Sequence, residues 1–373
     1  MTDLRKLRRS IFIITLMLLG IGVIMVYSAS AIFASEAMGS SFYFLRRHLI
    51  YIGIGLLLSI FVMKVDLRRI QDLARPILMI SVVSLGLVLI PGIGSEAGGA
   101  RRWFKFFNVG FQPAEFVKLA ILVYISDYMA RRGNDVKAYF RGFLPLTIVV
   151  GLISGLVLLQ PDFGTAVSIA MISFLVIYAG GGKLQHIASL CIAAFPFLWF
   201  AVLRVPYRRS RITAFLDPWS VRKAEGFQVV QSFLALGTGG LFGVGLGKSS
   251  QKLFYLPAAH TDFIFAVIGE ELGFLGAASV LILFFLLFWQ GMRVVFKSRV
   301  PFARHLTFGI TMMFAVEALV NIGVSTGSLP TKGLPLPFIS YGGSSIVMHM
   351  MAVALLLSTA RFEERFSGSA VGR

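Results

Sequence analysis

Long apolar runs recur along the whole chain, and they constrain its fold more than any other feature. Each run is close to the roughly 17 to 25 residues that an α-helix needs to cross a bilayer. Because the runs are continuous rather than alternating, they indicate helices and not the strands of a barrel. The sequence predicts an all-α polytopic membrane protein with about ten transmembrane helices, at 11–33, 47–63, 76–91, 113–130, 143–159, 164–181, 186–203, 262–291, 302–325 and 344–360.

Composition supports the same class, since 57% of the 373 residues are hydrophobic and only 14% are charged. So few charged groups cannot cover a soluble globule. The pattern predicts a single membrane domain over 11–360, between cytoplasmic segments at 1–10 and 361–373. A large extracytoplasmic loop, 204–261, separates the seventh and eighth predicted helices, and its interleaved aromatic and basic residues favour short amphipathic helices at the membrane surface.

Basic residues set the predicted orientation. Four of them precede the first apolar run, which resembles a secretory signal but lacks a clear cleavage site, so we interpret it as an uncleaved first helix. More Lys and Arg fall in the loops on the N-terminal side of the membrane than in the opposite loops. Since cytoplasmic loops retain positive charge, both termini are predicted to be cytoplasmic.

The external loops are nevertheless more basic than orientation requires, in a chain of net charge +18. An anionic partner on that side would explain the excess, and so would attraction to acidic lipid headgroups. Nucleic acid is not expected at an external membrane face. The single cysteine, Cys191, excludes an internal disulfide, and no His or Cys residues have the spacing of a metal site, so no structural metal is predicted.

Ionisable residues within or beside the apolar runs are the strongest indication of function, because each costs roughly 2.5 to 3.5 kcal/mol at a helix centre. Glu115 and Lys118 are three residues apart and so share one helix face, after Pro113 in the first turn. They form either a neutralising pair or the charged wall of a substrate cavity, and the two roles are compatible. The other candidates are Asp162, Asp262, Glu270, Glu271 and Glu317.

Asp162 stands just before one apolar run and Asp262 at the first position of another, both at the predicted external boundary. An acid in that position caps a helix by accepting hydrogen bonds from free backbone amides. It can equally contact a substrate or ion, and Asp262, beside a basic and aromatic loop, could act as a general base toward a sugar hydroxyl. The residues alone leave these alternatives open.

Two further segments, 94–112 and 328–345, are too rich in Gly and Pro to form regular helices. Unpaired backbone groups in lipid cost several kcal/mol each. If these segments enter the membrane, they therefore line a protein-walled or water-filled cavity.

Five strings together resemble the SEDS family (shape, elongation, division and sporulation), and they span nearly all of the membrane region. They are GARRW (99–103), QPAEFVK (112–118), QPDFGT (160–165), PAAHTDFIF continuing to GEELG (257–273), and LPTKGLPLPF continuing to SYGGSS (329–345). The segments 245–257 and 331–335 resemble the cell-division branch more than the elongation branch. A sporulation paralogue is the alternative within the family.

The resemblance implies a peptidoglycan glycosyltransferase that polymerises lipid II into β-1,4-linked strands at the division septum, on the outer face of the cytoplasmic membrane. It implies Asp262 as the catalytic base. Implied contacts to the substrate, with the diphosphate held by basic groups, are Arg46, Arg101, Arg102, Glu115, Lys118, Asp162, His260 and Lys332.

A divalent cation, Mg²⁺ or Mn²⁺, would help to neutralise a diphosphate leaving group, although no motif demonstrates a metal site. The partners that the resemblance implies are a class B penicillin-binding protein transpeptidase and regulatory division proteins, with 30–48 and 204–261 as docking surfaces. Two alternatives compete with the glycosyltransferase. One is a lipid II flippase, which needs a cavity open to both faces, and the other is a division scaffold without activity.

Overall fold

The computed structural model describes residues 2–97, 99–106, 109–204, 206–222, 226–251, 256 and 259–371. Within these ranges the helices are α1 (Thr2–Met38), α2 (Tyr43–Lys64), α3 (Leu67–Asp72), α4 (Ala74–Leu87), α5 (Pro113–Arg132), α6 (Leu144–Leu159), α7 (Phe163–Ala179), α8 (Leu184–Leu203), α9 (Pro206–Leu216), α10 (Phe227–Thr238), α11 (Ile264–Lys297), α12 (Pro301–Ser325) and α13 (Gly343–Val371). A 3₁₀ turn and a π turn, Gly133–Lys137 and Tyr139–Phe143, connect α5 to α6.

Each of the ten predicted runs coincides with one of these helices, which confirms a helical, multi-pass membrane protein. Six of the described helices are long and apolar enough to cross a membrane: α1, α2, the helix that runs through the π turn into α6, α11, α12 and α13. Helices α4 and α7 are apolar but shorter, and α5 carries charged residues. The count of ten crossings therefore stays a prediction.

The centre of the bundle is formed by α5 and α12, which pack against each other and are buried over most of their surface. Helix α12 also contacts α7, α11 and α13, while α13 packs closely against α2, and α1 packs against α11 and α2. Large apolar side chains on the outer helices stay exposed, as expected for surfaces that face lipid, for example Leu57, Phe61 and Phe285.

A small antiparallel sheet is the departure from the all-α prediction. Strands β1 (Ser95–Ala97), β2 (Ala100–Phe106) and β3 (Val109–Phe111) lie in that order within the segment predicted to be irregular. Hydrogen bonds anchor it over α2 and α13, from the Gly110 amide to the Tyr51 hydroxyl (2.8 Å) and from the Gln112 amide to Ser344 Oγ (2.8 Å). Two of the strands are only three residues long, too short for a period of two to be recognised.

The loop 204–261 contains two short helices, as predicted, but α10 does not lie free on the membrane surface. Its apolar face, with Val229, Val230 and Ala235 buried, packs against α11 and α12. Ser232 Oγ donates a 2.7 Å hydrogen bond to the Ser325 carbonyl at the end of α12. The loop is therefore partly built into the bundle.

Helix α11 is interrupted at Gly273, where φ is 69° and ψ is −167°. The segment after α10 fills the interruption with backbone hydrogen bonds, from Phe274 N to Gly240 O (2.8 Å) and from Val244 N to Glu270 O (3.0 Å). The backbone groups released by the break are thus paired within the protein, as lipid surroundings require.

Ion pairs gather the predicted cytoplasmic segments at one end of the bundle. Arg8 pairs with Glu364 (2.9 Å), Arg131 pairs with Asp72 (3.2 Å), and Lys297 contacts Asp3. The loops that contain Asp162, Asp262 and Lys332 lie together away from these pairs. This segregation agrees with the predicted alternation of spans, whereas the side of the membrane that each end faces stays a prediction.

Candidate functional site

The irregular segment between α12 and α13 folds over the N-terminus of α11. The Tyr341 amide donates to the His260 carbonyl (2.9 Å), and Ser340 Oγ donates to the Thr261 carbonyl (2.5 Å). Asn321 Nδ2 donates to the carbonyls of Asp262 (2.9 Å) and Leu334 (2.8 Å). Three consecutive residues, His260 to Asp262, are therefore held through their backbone carbonyls, and the Asp262 carboxylate bonds the neighbouring Thr261 side chain.

Asp262 is not a helix cap. Helix α11 has Phe263 at its N-cap position, so Asp262 lies one residue earlier. Its carboxylate lies against Gly333, where an added Cβ would be 2.7 Å from Oδ2. Burial raises the pKa of Asp262 to about 6, with the Asp162 charge acting in the same direction and the Arg211 guanidinium opposing it. A carboxylate with this pKa is ionised near neutral pH and is more basic than an ordinary aspartate.

Asp162 does act as a cap, since its Oδ1 accepts from the Thr165 amide (3.1 Å) at the start of α7. Its other oxygen lies 3.9 Å from Arg102. Arg102 is fixed beside it by donating to the carbonyls of Gln160 (2.8 Å) and Pro161 (2.8 Å). The capping interpretation is confirmed, and the second oxygen still faces a cation.

Lys332 brings the two acids into one site. Its aliphatic stem lies on Gly164, so closely that any Cβ there would clash with it. Burial lowers the pKa of Lys332 to about 8, with the negative charge of Asp162 opposing the shift. On the neighbouring residue, the Thr331 carbonyl accepts a 3.0 Å hydrogen bond from Arg211 of α9. Cations from three separate segments, Arg102 of β2, Arg211 of α9 and Lys332 of the Gly333 loop, thus lie beside Asp162 or Asp262.

Beneath this site lies a buried charge network. Lys118 Nζ is 2.9 Å from Glu115 Oε2 and donates to Glu317 Oε1 at 2.5 Å. His349 Nε2 bonds the other Glu317 oxygen (2.6 Å), and its Nδ1 is 3.3 Å from Ser345 Oγ. Lys118 and Glu317 are 3% and 1% exposed, so these groups are compensated by one another and not by water.

With this geometry in view, comparison with known proteins decides the family. Residues 8–365 match the model of the FTSW_RODA_SPOVE family, described as a cell cycle protein. The chain belongs to this family. The predicted SEDS membership is thereby confirmed.

Two curated relatives illustrate the similarity. A probable peptidoglycan glycosyltransferase FtsW of Geobacter metallireducens is 42% identical over 361 residues, 96% of each chain. Stage V sporulation protein E of Bacillus subtilis is 40% identical over 350 residues, 94% of this chain and 96% of the relative.

Solved structures share the fold. A chain from a structure entitled "Structural coordination of polymerization and crosslinking by a peptidoglycan synthase complex" has a TM-score of 0.78 at 28% identity, covering 95% of this chain and 97% of that one. The rod shape determining protein RodA of Thermus thermophilus has a TM-score of 0.70 at 27% identity, covering 94% and 95%.

The remaining predicted site residues of this FTSW_RODA_SPOVE protein lie further out. Arg101, on the central strand β2, is 3.7 Å from Glu96 of β1, and Arg46 is exposed in the first turn of α2. His260 packs among aromatic rings instead of facing the acids. The structure therefore brings together Arg102, Asp162, Asp262 and Lys332, and it places Glu115 and Lys118 beneath them.

Three contributors were not assigned to the site from sequence: Arg211, Glu317 and His349. Glu317 was recognised as an embedded acid, and an acid at that depth needs a cation beside it. Lys118 is the only Lys or Arg in the interior of a predicted span, so the sequence did contain a signal for this pairing. Nothing in the sequence singled out Arg211 from the other arginines of its loop.

The two embedded acids of α11 have structural roles instead. Glu270 accepts from the Ser250 amide (2.9 Å) and from Ser249, which fixes the end of the loop after α10. Glu271 accepts a 2.5 Å hydrogen bond from Ser28 of α1. Both carboxylates are fully buried and serve to join segments.

Among the described residues, no group of three or more His, Cys, Asp or Glu side chains could hold a metal ion. Mg²⁺ is commonly held by one or two carboxylates together with substrate phosphates. Asp162 and Asp262 fit that arrangement only if a phosphate-bearing substrate supplies the other oxygens.

Proposed function

We propose that this protein is a peptidoglycan glycosyltransferase that polymerises lipid II into β-1,4-linked glycan strands, on the outer face of the cytoplasmic membrane at the division septum. The observation that carries the proposal is the position of Asp262 just before α11, where Asn321 bonds its backbone carbonyl and the Arg211 guanidinium interacts with its buried carboxylate. The relatives named peptidoglycan glycosyltransferase FtsW support the same activity.

In the proposed step, Asp262 accepts the proton of the acceptor sugar hydroxyl as its oxygen attacks the anomeric carbon of the donor. A C–O bond forms to the acceptor, the bond from the anomeric carbon to the diphosphate breaks, and undecaprenyl diphosphate leaves with the electron pair. The raised pKa of about 6 suits a general base at neutral pH.

The basic groups around Asp262 suit the leaving diphosphate. Arg102, which lies 3.9 Å from Asp162, and Lys332, whose charge interacts with that of Asp162, are proposed to bind its oxygens through charge-assisted hydrogen bonds. We also propose that Mg²⁺ or Mn²⁺ would assist near these carboxylates, held by Asp162 together with the diphosphate, where it would supply charge neutralisation. Arg46 and Arg101 are proposed as outer contacts that attract the substrate.

The buried charge network of Glu115, Lys118, Glu317 and His349 lies directly beneath the site and supports it. Lys118 joins α5 to α12 through Glu317, and α12 in turn holds Asp262 through Asn321. Glu115 and Lys118 are therefore proposed to shape the substrate cavity rather than to take part in proton transfer.

We propose that a class B penicillin-binding protein transpeptidase and regulatory division proteins bind the external segments 30–48 and 204–261. Support comes from a solved structure with the same fold, which describes how a peptidoglycan synthase complex coordinates polymerisation and crosslinking. Septal location would be tested by imaging a fluorescent fusion in dividing cells.

Polymerisation of fluorescent lipid II by purified protein, with and without its transpeptidase, tests the proposal. We expect Asp262→Asn to abolish strand formation while protein yield and transpeptidase binding stay normal. Asp217→Asn is the matched control, because Asp217 is an exposed acid of the same external loop whose carboxylate accepts a local hydrogen bond from the Ser220 amide (3.2 Å). Retained polymerisation by Asp262→Asn would remove this residue from the mechanism.

The same preparation separates the rival functions. A flippase would move fluorescent lipid II across liposome membranes without producing strands, and a scaffold would do neither while still binding its partners. Either result with folded wild-type protein would overturn the glycosyltransferase proposal.

A further inference from the structure

A group of aromatic rings, the outer aromatic cluster, adjoins the proposed catalytic residue. It consists of Phe33 at the end of α1, Phe44 at the start of α2, and His260 and Tyr341 from two loops. Ring centroids lie 4.6 Å apart between Phe44 and His260 and 5.7 Å apart between His260 and Tyr341. Because four segments far apart in sequence converge here, the cluster is a product of the fold.

The cluster and the charged site lie on either side of one short turn. The His260 side chain faces Phe33 and Phe44, whereas Asp262, two residues later, faces Gly333 and the charged groups. The Tyr341 amide donates a hydrogen bond to the His260 carbonyl (2.9 Å), which joins the Tyr341 loop to this turn.

The rings themselves suit a sugar rather than a charged group. Phe33 is 40% exposed, and its ring is inclined by only 28° to that of Phe44 and 25° to that of His260. Burial lowers the pKa of His260 to about 4, which leaves the imidazole neutral. One face of a β-linked pyranose presents C–H bonds, and these pack favourably against the negative face of an aromatic ring.

Polar groups border the rings, as in sites that hold an amphipathic ligand. Arg47 donates a 2.9 Å hydrogen bond to the Tyr43 hydroxyl and lies over its ring, and the Tyr43 ring meets Phe44 edge to face at 5.2 Å. Sugar hydroxyls and N-acetyl groups find donors and acceptors of this kind at the rim, while the sugar faces cover the rings.

We propose that the outer aromatic cluster is the subsite for the acceptor glycan, where it binds sugar rings and presents a hydroxyl to Asp262. This inference rests on the proposed function, and it divides the substrate site into a donor part and an acceptor part. The donor diphosphate takes the cationic side of the turn, and the acceptor sugars take the aromatic side.

A lipid-free, peptide-free oligosaccharide of alternating β-1,4-linked N-acetylglucosamine and N-acetylmuramic acid is the probe. We expect it to bind the wild-type protein in detergent, and Phe33→Ala to weaken that binding about threefold to tenfold. Phe33→Tyr, which keeps the ring, should bind as the wild type does. In polymerisation assays Phe33→Ala should yield shorter strands.

Phe42→Ala is the matched control, because Phe42 is 46% exposed and stacks on Tyr27 of α1 at 5.2 Å, outside the cluster. It should leave oligosaccharide binding and strand length unchanged. If Phe33→Ala and Phe42→Ala weaken oligosaccharide binding equally, or if Phe33→Ala does not weaken it, the proposal is wrong. The rings would then be ordinary aromatic residues of the membrane–water interface. Competition by undecaprenyl phosphate alone would assign the rings to the lipid tail and overturn the proposal.

Oligosaccharide binding needs no turnover, so it separates the two proposals. Ring-dependent binding in a protein that makes no strands would contradict the glycosyltransferase and keep the glycan subsite. Strand formation without ring-dependent binding would contradict the subsite alone.

Discussion

At the scale of single residues, the pKa values of Asp262 and Lys332 predict a bell-shaped pH dependence of kcat/KM. Asp262 must lose its proton to act as a base, so the rate should fall about tenfold per pH unit below its pKa of about 6. Lys332 loses its positive charge above a pKa of about 8, which weakens the diphosphate contact on the alkaline side. Lipid II polymerisation measured from pH 5 to about 9.5 checks both limbs.

The variant Lys332→Arg distinguishes the groups responsible. Arginine keeps its charge throughout this range, so the alkaline limb should move above the measured pH range while the acid limb stays in place. An unchanged alkaline limb would show that another group causes it.

A second residue-scale prediction concerns the buried network. Lys118→Met leaves Glu115 and Glu317 without their cation, and breaking a buried pair in this way costs about 3–5 kcal/mol. We expect a large fall in the unfolding temperature in detergent. The double variant Lys118→Met with Glu317→Gln should be more stable than Lys118→Met alone, because it removes one of the uncompensated charges.

If the double variant is less stable than the sum of the two single changes predicts, mutual neutralisation is not the main role of these groups. A Glu115 and Lys118 exchange provides an independent check. The exchange should recover part of the stability that Glu115→Ala or Lys118→Ala loses.

At the scale of elements, the interruption of α11 depends on a residue without a side chain. An added Cβ at Gly273 would meet the Gly243 amide and lie 2.6 Å from the Leu241 carbonyl group, and the positive φ is itself unfavourable for other residues. Gly273→Ala should therefore destabilise the protein by roughly 1–3 kcal/mol or more. Thermal unfolding in detergent measures the change.

Gly151→Ala supplies the matched control in α6, because nothing lies within 4 Å of its added Cβ. There the substitution should be neutral or stabilising, by up to about 1 kcal/mol. Equal effects at both positions would mean that the close approach of the loop after α10 is not required for stability.

At the scale of the whole molecule, the segregation of loops into two ends predicts which residues face each side. In a Cys191→Ser background, Ser220→Cys should react with a membrane-impermeant maleimide in intact cells. Lys137→Cys should react only after the membrane is permeabilised. Both positions are exposed, so accessibility within the protein does not limit either reaction.

Reaction of Lys137→Cys in intact cells would reverse the proposed orientation and place the Asp262 site in the cytoplasm. That outcome is incompatible with strand synthesis outside the membrane. The labelling experiment therefore tests the localisation independently of any activity assay.

Much of the architecture was predictable from local patterns. Apolar runs of spanning length located ten helices, Pro113 marked the start of α5, and the spacing of Glu115 and Lys118 placed the two on one face. The cap formed by Asp162 follows from its position before α7. These features depend on residues within one or two turns of each other, and hydropathy and helix geometry determine them without reference to the rest of the chain.

The functional site was decided by the tertiary structure. Asp262 had the same local signature as Asp162, yet it lies one residue before the cap position, and its carboxylate contacts Gly333 and interacts with Arg211. The second acid that contacts Lys118 is Glu317, which is 199 residues away in the sequence. Residues so far apart in sequence meet only because of the way the helices pack and the loops fold over them. The sequence by itself therefore determined which charged side chains would be costly to bury. Only the tertiary structure decided which oppositely charged side chains would compensate them.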